Sequence, residues 1–147
     1  MLDVVKKSSE ELFFKLDVKA TVEASETEDG INLSVDAGED NALLIGKHGN
    51  TLSSLEAILA LIIAKKTGEY KRVIIEIGGY REEREKYLKE LAQRLKEDVV
   101  STGYEKTVRG LKPWERRLIH MTLSEDSEVV TESEGEDRER VLVIKKK

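Results

Sequence analysis

The sequence predicts an α+β protein of two small modules in series, and three observations predict it. Segments of apolar alternation interleave with segments of helical period along most of the chain. A Gly78-Gly79 pair interrupts that pattern near the middle. On each side of the pair lies a set of elements able to close around its own apolar core. Before it the order is helix, strand, strand, helix, helix, strand; after it, helix, strand, helix, strand, strand. The chain has 147 residues, room for two such units, 1–78 and 79–147.

Each element has a local reason. Val5, Leu12 and Leu16 fall near one face of a helix over residues 2–14. From Leu16 to Ala24 every second residue is apolar, which predicts a strand. Glu28-Asp29-Gly30 then turns the chain into a second alternating run through Ile31, Leu33 and Val35. Ala42–Ile45 is a short apolar segment in which a helix ends. After the break at 46–49 a long helix carries Leu52, Leu55, Ile58, Leu59, Ile62 and Ile63, with Asn50 as its N-cap and Gly68 as its stop. Arg72–Ile77 (RVIIEI) reads as a buried strand.

In the second module, Tyr80–Val100 is a charged helix with the stripe Tyr87, Leu88, Leu91, Leu95 and Val99. Ser101–Gly103 ends it, Lys106–Val108 forms a short strand, and Pro113 opens a helix over 113–123, where the first turn tolerates proline. Strands at Glu128–Ser133 and Arg140–Ile144 flank a turn at Gly135. Trp114 and Tyr80 are expected to pack where the two modules join, and Arg81 and Arg84 to be solvated.

Composition removes several function classes. The chain has no cysteine, which excludes a disulfide scaffold and thiolate chemistry and fits a reducing compartment. The longest apolar run, Ala57–Ala64, is far short of the roughly 20 residues that span a bilayer. The start does not follow the order of a signal peptide, so membrane insertion is not expected and a cytoplasmic location is. Net charge is −5, yet its distribution matters more: residues 1–40 carry −7, residues 41–124 carry +5, and residues 125–147 carry −3. A basic middle between acidic ends is a footprint for a polyanion.

Two constellations lie in that middle. The first is Gly46-Lys47-His48-Gly49, entered from Ile45 and followed by Asn50. A helix starting there presents unpaired N–H groups and a positive dipole end. Glycines let a phosphodiester backbone approach closely, Lys47 adds a mobile cation, and His48 adds a donor or stacking surface. The bland alternative is a helix–helix turn whose glycines serve only backbone geometry. The second is Arg116 and His120, spaced i and i+4 on one helix face, with Arg109 and Lys112 just upstream. Arginine can hold a phosphate bidentately, and histidine can donate to one or stack on a base. The bland alternative here is a histidine capped by a nearby glutamate on a solvated helix. Glu132, Glu134, Glu136 and Asp137 read as an acidic hairpin tip and not a metal site. No nucleophile triad or metal-ligand spacing is visible, so neither catalysis nor a cofactor is expected.

The first constellation, set in its α-β-β-α-α-β order, resembles the type II KH domain. That resemblance implies that residues 46–49 clamp the backbone of about four single-stranded nucleotides, in a groove completed by the following helix and the strand Arg72–Ile77. Arg116-x-x-x-His120, with its surrounding helices and strands, resembles the R-three-H single-stranded nucleic-acid-binding domain, a small α/β unit of two helices on a three-stranded sheet. Together LIGKHGNTL, GGYREEREKYL, PWERRLIH and TESEGEDRERVLVI resemble the bacterial Jag (SpoIIIJ-associated, KhpB/EloR) family over roughly the whole chain. Members usually begin with a further small N-terminal domain and linker, which is expected to be missing here. The resemblance implies a single-stranded RNA-binding protein, with DNA as an alternative ligand. It also implies post-transcriptional regulation linked to cell elongation and envelope assembly, and pairing through KH surfaces with a small single-KH protein or with itself. The rival reading is a protein–protein adaptor whose KH domain mainly dimerises; a nuclease using His120 lacks a carboxylate cage.

Overall fold

A computed structural model describes residues 1–147, and the chain divides into two units, Met1–Arg81 and Glu82–Lys147. The first contains α1 (Leu2–Lys15), β1 (Thr21–Thr27), β2 (Gly30–Asp36), α2 (Asn41–Ile45), α3 (Asn50–Thr67) and β3 (Val73–Ile77). Its sheet has the order β1-β2-β3. β1 and β2 are antiparallel, from Thr21 opposite Asp36 to Thr27 opposite Gly30. β2 and β3 are parallel, from Ile31 opposite Val73 to Val35 opposite Ile77. A parallel pair cannot be closed by a tight turn, and here α2 and α3 supply the crossover.

The alternation in β2 reaches the core as expected: Ile31, Leu33 and Val35 are buried. They meet Val5 and Phe13 of α1, Leu55, Leu59 and Ile63 of α3, and Val73, Ile75 and Ile77 of β3. Each such side chain contributes about 1.5–3 kcal/mol by leaving water. Lys66 on α3 donates to Ser8 Oγ on α1 at 3.1 Å and pairs with Glu11 at 3.5 Å, fixing the rim where these helices meet.

Three expectations for this unit are corrected. The first strand begins at Thr21 and not Leu16, because the end of α1 turns back on itself through Asp17 in left-handed backbone (φ 59°). Val18 is buried from that connection and Leu16 is exposed. Asn50 is the first helical residue of α3 and not its cap; Gly49 occupies the cap position in left-handed conformation. Ile58 faces outward at 45% exposure, so the apolar spacing along α3 overstates its buried stripe.

The second unit contains α4 (Tyr80–Thr102) from Glu82 onward, β4 (Lys106–Val108), α5 (Pro113–Leu123), β5 (Val129–Glu134) and β6 (Val141–Lys146). Its antiparallel sheet has the order β4-β6-β5, with Thr107 opposite Val143 and Thr131 opposite Ile144. Leu88, Ala92 and Val99 of α4, Ile119 and Leu123 of α5, and Val129, Leu142 and Ile144 of the sheet form its core. Tyr87 lies outside the stripe and is exposed; Ala92 stands in its place. Trp114 packs against this second core, and Tyr80 against the first, so each is explained within its own unit.

Arg84 is not a solvated charge. Its Nε donates to Glu115 Oε2 at 2.6 Å, and its guanidinium lies 5.2 Å from the centroid of the Tyr87 ring. Glu115 is 1% exposed and its Oε1 accepts the backbone N–H of Lys112 at 2.8 Å. One buried carboxylate therefore closes the first turn of α5 and ties it to α4.

Candidate nucleic-acid interface

In the first unit, the chain passes from α2 to α3 through a single tight turn at Lys47–Gly49. Gly46 has φ 72° and ψ −174°, a region of backbone space that is essentially glycine-only. A Cβ built there would lie 2.1 Å from Thr51 Oγ1. Gly49 is left-handed (φ 74°), and a Cβ on it would lie 2.8 Å from the Tyr80 hydroxyl. Gly46 is thus required by conformation and by crowding, while Gly49 takes up a left-handed state with the least strain and leaves room for the Tyr80 ring. Between them His48 is itself left-handed (φ 54°), a state in which histidine is over-represented. This arrangement leaves Lys47 and His48 exposed, while Ile45 is half-buried against the core. Asn50 is exposed at the start of α3, and Gly49 in the cap position has no side chain to cap it. A helix N-terminus flanked by a lysine and a histidine is a favourable seat for a phosphate.

Beside α3 runs the open edge of the sheet. Ile31 N–H donates to the Arg72 carbonyl, so in this parallel pairing Arg72, Ile74 and Glu76 turn their backbone toward β2. Val73, Ile75 and Ile77 turn theirs outward. The Ile75 N–H is taken by Glu56 Oε2 of α3 at 2.9 Å. Burial pushes the Glu56 carboxyl above the usual range, against the lowering pull of the Ile75 N–H, Arg81 and Arg72.

In the second unit, Arg116 and His120 line one cavity of about 250 Å³, together with Pro113, Arg117, Ser133 and Arg140. Arg116 Nη1 donates to the Leu111 carbonyl at 2.7 Å, which fixes the guanidinium against the start of α5. His120 Nδ1 is hydrogen-bonded to the hydroxyl of Thr131, a buried residue of β5. That hydroxyl can donate to a bare Nδ1 or accept from a protonated one, so it orients the ring in either state. No lining residue is acidic. Three guanidinium groups and an imidazole around one space have the chemistry to hold a phosphate.

The structure brings Arg116 and His120 together but does not add Arg109 and Lys112 to this cavity. Arg109 is exposed between β4 and α5, and Lys112 is half-buried before the first turn of α5. Sequence reasoning missed Ser133, Arg117 and Arg140 as site residues. Arg117 adjoins Arg116, but Arg140 and Ser133 arrive only through the register of the β5–β6 hairpin, for which the sequence holds no local signal.

The order of elements, the glycine-walled turn and the arginine–histidine cavity define a two-module protein in which a KH domain precedes an R-three-H domain. Residues 3–77 match the KhpA/KhpB KH-domain family, and residues 86–146 match the R-three-H domain. The chain belongs to the KhpA/KhpB KH-domain family. Among its curated relatives, RNA-binding protein KhpB of Clostridium symbiosum is 38% identical over 127 residues, covering 86% of this chain and 57% of the relative. RNA-binding protein KhpB of Bacillus subtilis is 38% identical over 112 residues, 75% of this chain and 54% of the relative. That of Lactiplantibacillus plantarum is 34% identical over 102 residues, 69% and 32% respectively. The chain spans about half or less of the length of these relatives. No helix is long and apolar enough to cross a membrane.

Proposed function

We propose that this chain binds single-stranded RNA without catalysing a reaction, as the names of its relatives suggest. The RNA backbone crosses the Gly46–Gly49 turn, where Lys47, His48 and the first turn of α3 face its phosphates, and the bases turn toward α3 and the edge of β3. The observation that carries this reading is the turn itself: two positive-φ glycines that hold a lysine and a histidine outward at a helix N-terminus. The Arg116/Arg117/His120/Arg140 cavity holds a second stretch of phosphate. Two such sites on one chain act together through effective concentration, each too weak alone. Arg109 and Lys112 add cations near the second site without lining it. The protein acts in the cytoplasm as a post-transcriptional regulator linked to cell elongation and envelope assembly. Residues 1–78 and 79–147 are its functional modules.

A second reading is favoured by one observation. Ile58 and Leu61, 45% and 65% exposed on α3, offer an apolar face for a small single-KH protein or a second copy of this chain. That adaptor reading needs no RNA. Replacing Lys47 and His48 with aspartate separates the two. RNA affinity should fall at least roughly tenfold, about 1.4 kcal/mol, with unchanged circular dichroism and with a steep salt dependence in the parent protein. Unaltered affinity, or a flat salt response, would leave the adaptor as the better account.

A further inference from the structure

Resting on the reading that RNA bases lie along α3 and β3, we propose that Glu56 is the base-reading residue of this groove and selects a nucleotide bearing an exocyclic amine. Three features of the structure carry it. Glu56 stands on α3 six residues beyond Asn50, about 9 Å along the helix, within the reach of the roughly four nucleotides that a KH groove holds. Its carboxylate is anchored, because Oε2 accepts the outward Ile75 N–H at 2.9 Å. That N–H engages Oε2 and not Oε1, so the anchored group can still accept from an incoming base.

A purely structural role explains less. Capping one N–H of an edge strand guards that edge, but glutamine does this equally well and without a charge. The half-buried carboxylate is instead held at a cost in solvation: burial drives its pKa up, Glu76 adds to that, and Arg72, Arg81 and the Ile75 N–H only partly oppose it. A negative group beside a polyanion is also unfavourable unless a donor meets it. Cytosine, adenine and guanine each present amine hydrogens, whereas uracil flanks its single N–H with two carbonyl oxygens that a carboxylate repels. Contacts to phosphate set position and contacts to base edges set sequence. Glutamate accepting from a base amine is an established pairing chemistry worth roughly tenfold or more in discrimination.

The test uses the full chain and a set of uridine hexanucleotides in which one position at a time is replaced by cytidine, adenosine or guanosine. The wild type should bind at least one amine-bearing oligomer about tenfold more tightly than hexauridine. Glu56→Gln, which keeps an acceptor for Ile75, should lose most of that preference without losing overall affinity. Lowering the pH through the raised pKa of Glu56 should erode the preference in the wild type and leave it unchanged in Glu56→Gln. If the wild type binds every oligomer equally while the Lys47→Asp/His48→Asp variant abolishes binding, the groove reading stands and Glu56 does not read bases. A preference that survives intact in Glu56→Gln overturns the proposal in the same way. Binding indifferent to the Lys47/His48 change overturns the groove reading, and the proposal with it.

Discussion

Glu115→Ala should destabilise the second unit more than any single change at its surface. The side chain is 1% exposed, and two donors converge on it: Arg84 Nε at 2.6 Å and the Lys112 N–H at 2.8 Å. Alanine leaves both behind. The Arg84 side chain is only 15% exposed, so its charge is stranded where water reaches it poorly. Breaking a buried ion pair by removing one partner costs about 3–5 kcal/mol. Partial rehydration of Arg84 places this case near the low end, about 3 kcal/mol, with the lost cap included. For a unit of this size the urea slope is roughly 1 kcal/mol per molar, so the midpoint should fall by about 3 M. Trp114 makes the assay specific: it is the one tryptophan of the chain and packs against the second core, so its fluorescence follows this unit. Glu115→Gln, which keeps an acceptor for Lys112 but no charge for Arg84, should fall between. Arg84→Met combined with Glu115→Leu should recover most of the loss, since apolar replacement of a buried pair is often neutral. A Glu115→Ala midpoint within about 0.5 M of the parent, on that same urea slope, would refute the view that this carboxylate holds α5 to α4.

Gly46→Ala should destabilise the first unit by about 1–3 kcal/mol, because the backbone is glycine-only and a Cβ would overlap Thr51 Oγ1; unfolding followed by amide NMR in the first unit checks this. Arg116→Ala with His120→Ala should weaken long RNA more than a short oligonucleotide and make the salt slope shallower by about one unit for each phosphate no longer neutralised. Arg140→Ala should act in the same direction, and equal losses for short and long ligands would argue for one continuous site. Met121 is largely exposed, and the buried Ile119 and Leu123 hold α5 in these variants. A fragment of residues 1–81 should give a dispersed proton spectrum, while residues 1–78 should be less stable for want of Tyr80. Asp126 pairs with Lys96 at 2.5 Å and accepts the Glu128 and Val129 N–H groups, which together hold its carboxyl below the usual range. Its stabilisation is therefore present above the ordinary carboxylate pKa and lost as pH falls toward the depressed folded value. Asp126→Asn should flatten acid unfolding of the second unit, and an unchanged acid profile would count against it.

What the sequence determined by itself was whatever local chemistry decides. Gly46 and Gly49 announced a tight turn through positive-φ backbone, Pro113 marked the first turn of α5, and Gly68 stopped α3. Ile31, Leu33 and Val35 chose the buried face of β2 by period alone, because side chains on a strand alternate whatever the partner strand is. Arg116 and His120 were legible as a pair because residues four apart on a helix always share a face. What tertiary structure decided depends on partners distant in sequence. Leu16 alternates as a strand residue should, yet α1 must turn back to deliver Val18, and the ladder starts only where β2 offers an opposing backbone. Arg84 reads as a solvated helix charge until the packing of α4 against α5 sets Glu115 beside it, 31 residues away. Arg140 and Ser133 reach the anion cavity through a hairpin register, and Glu56 reaches Ile75 across a crossover. Spacing along the chain encodes periodicity but not these meetings, because burial and ionic pairing are settled by which faces the fold presses together.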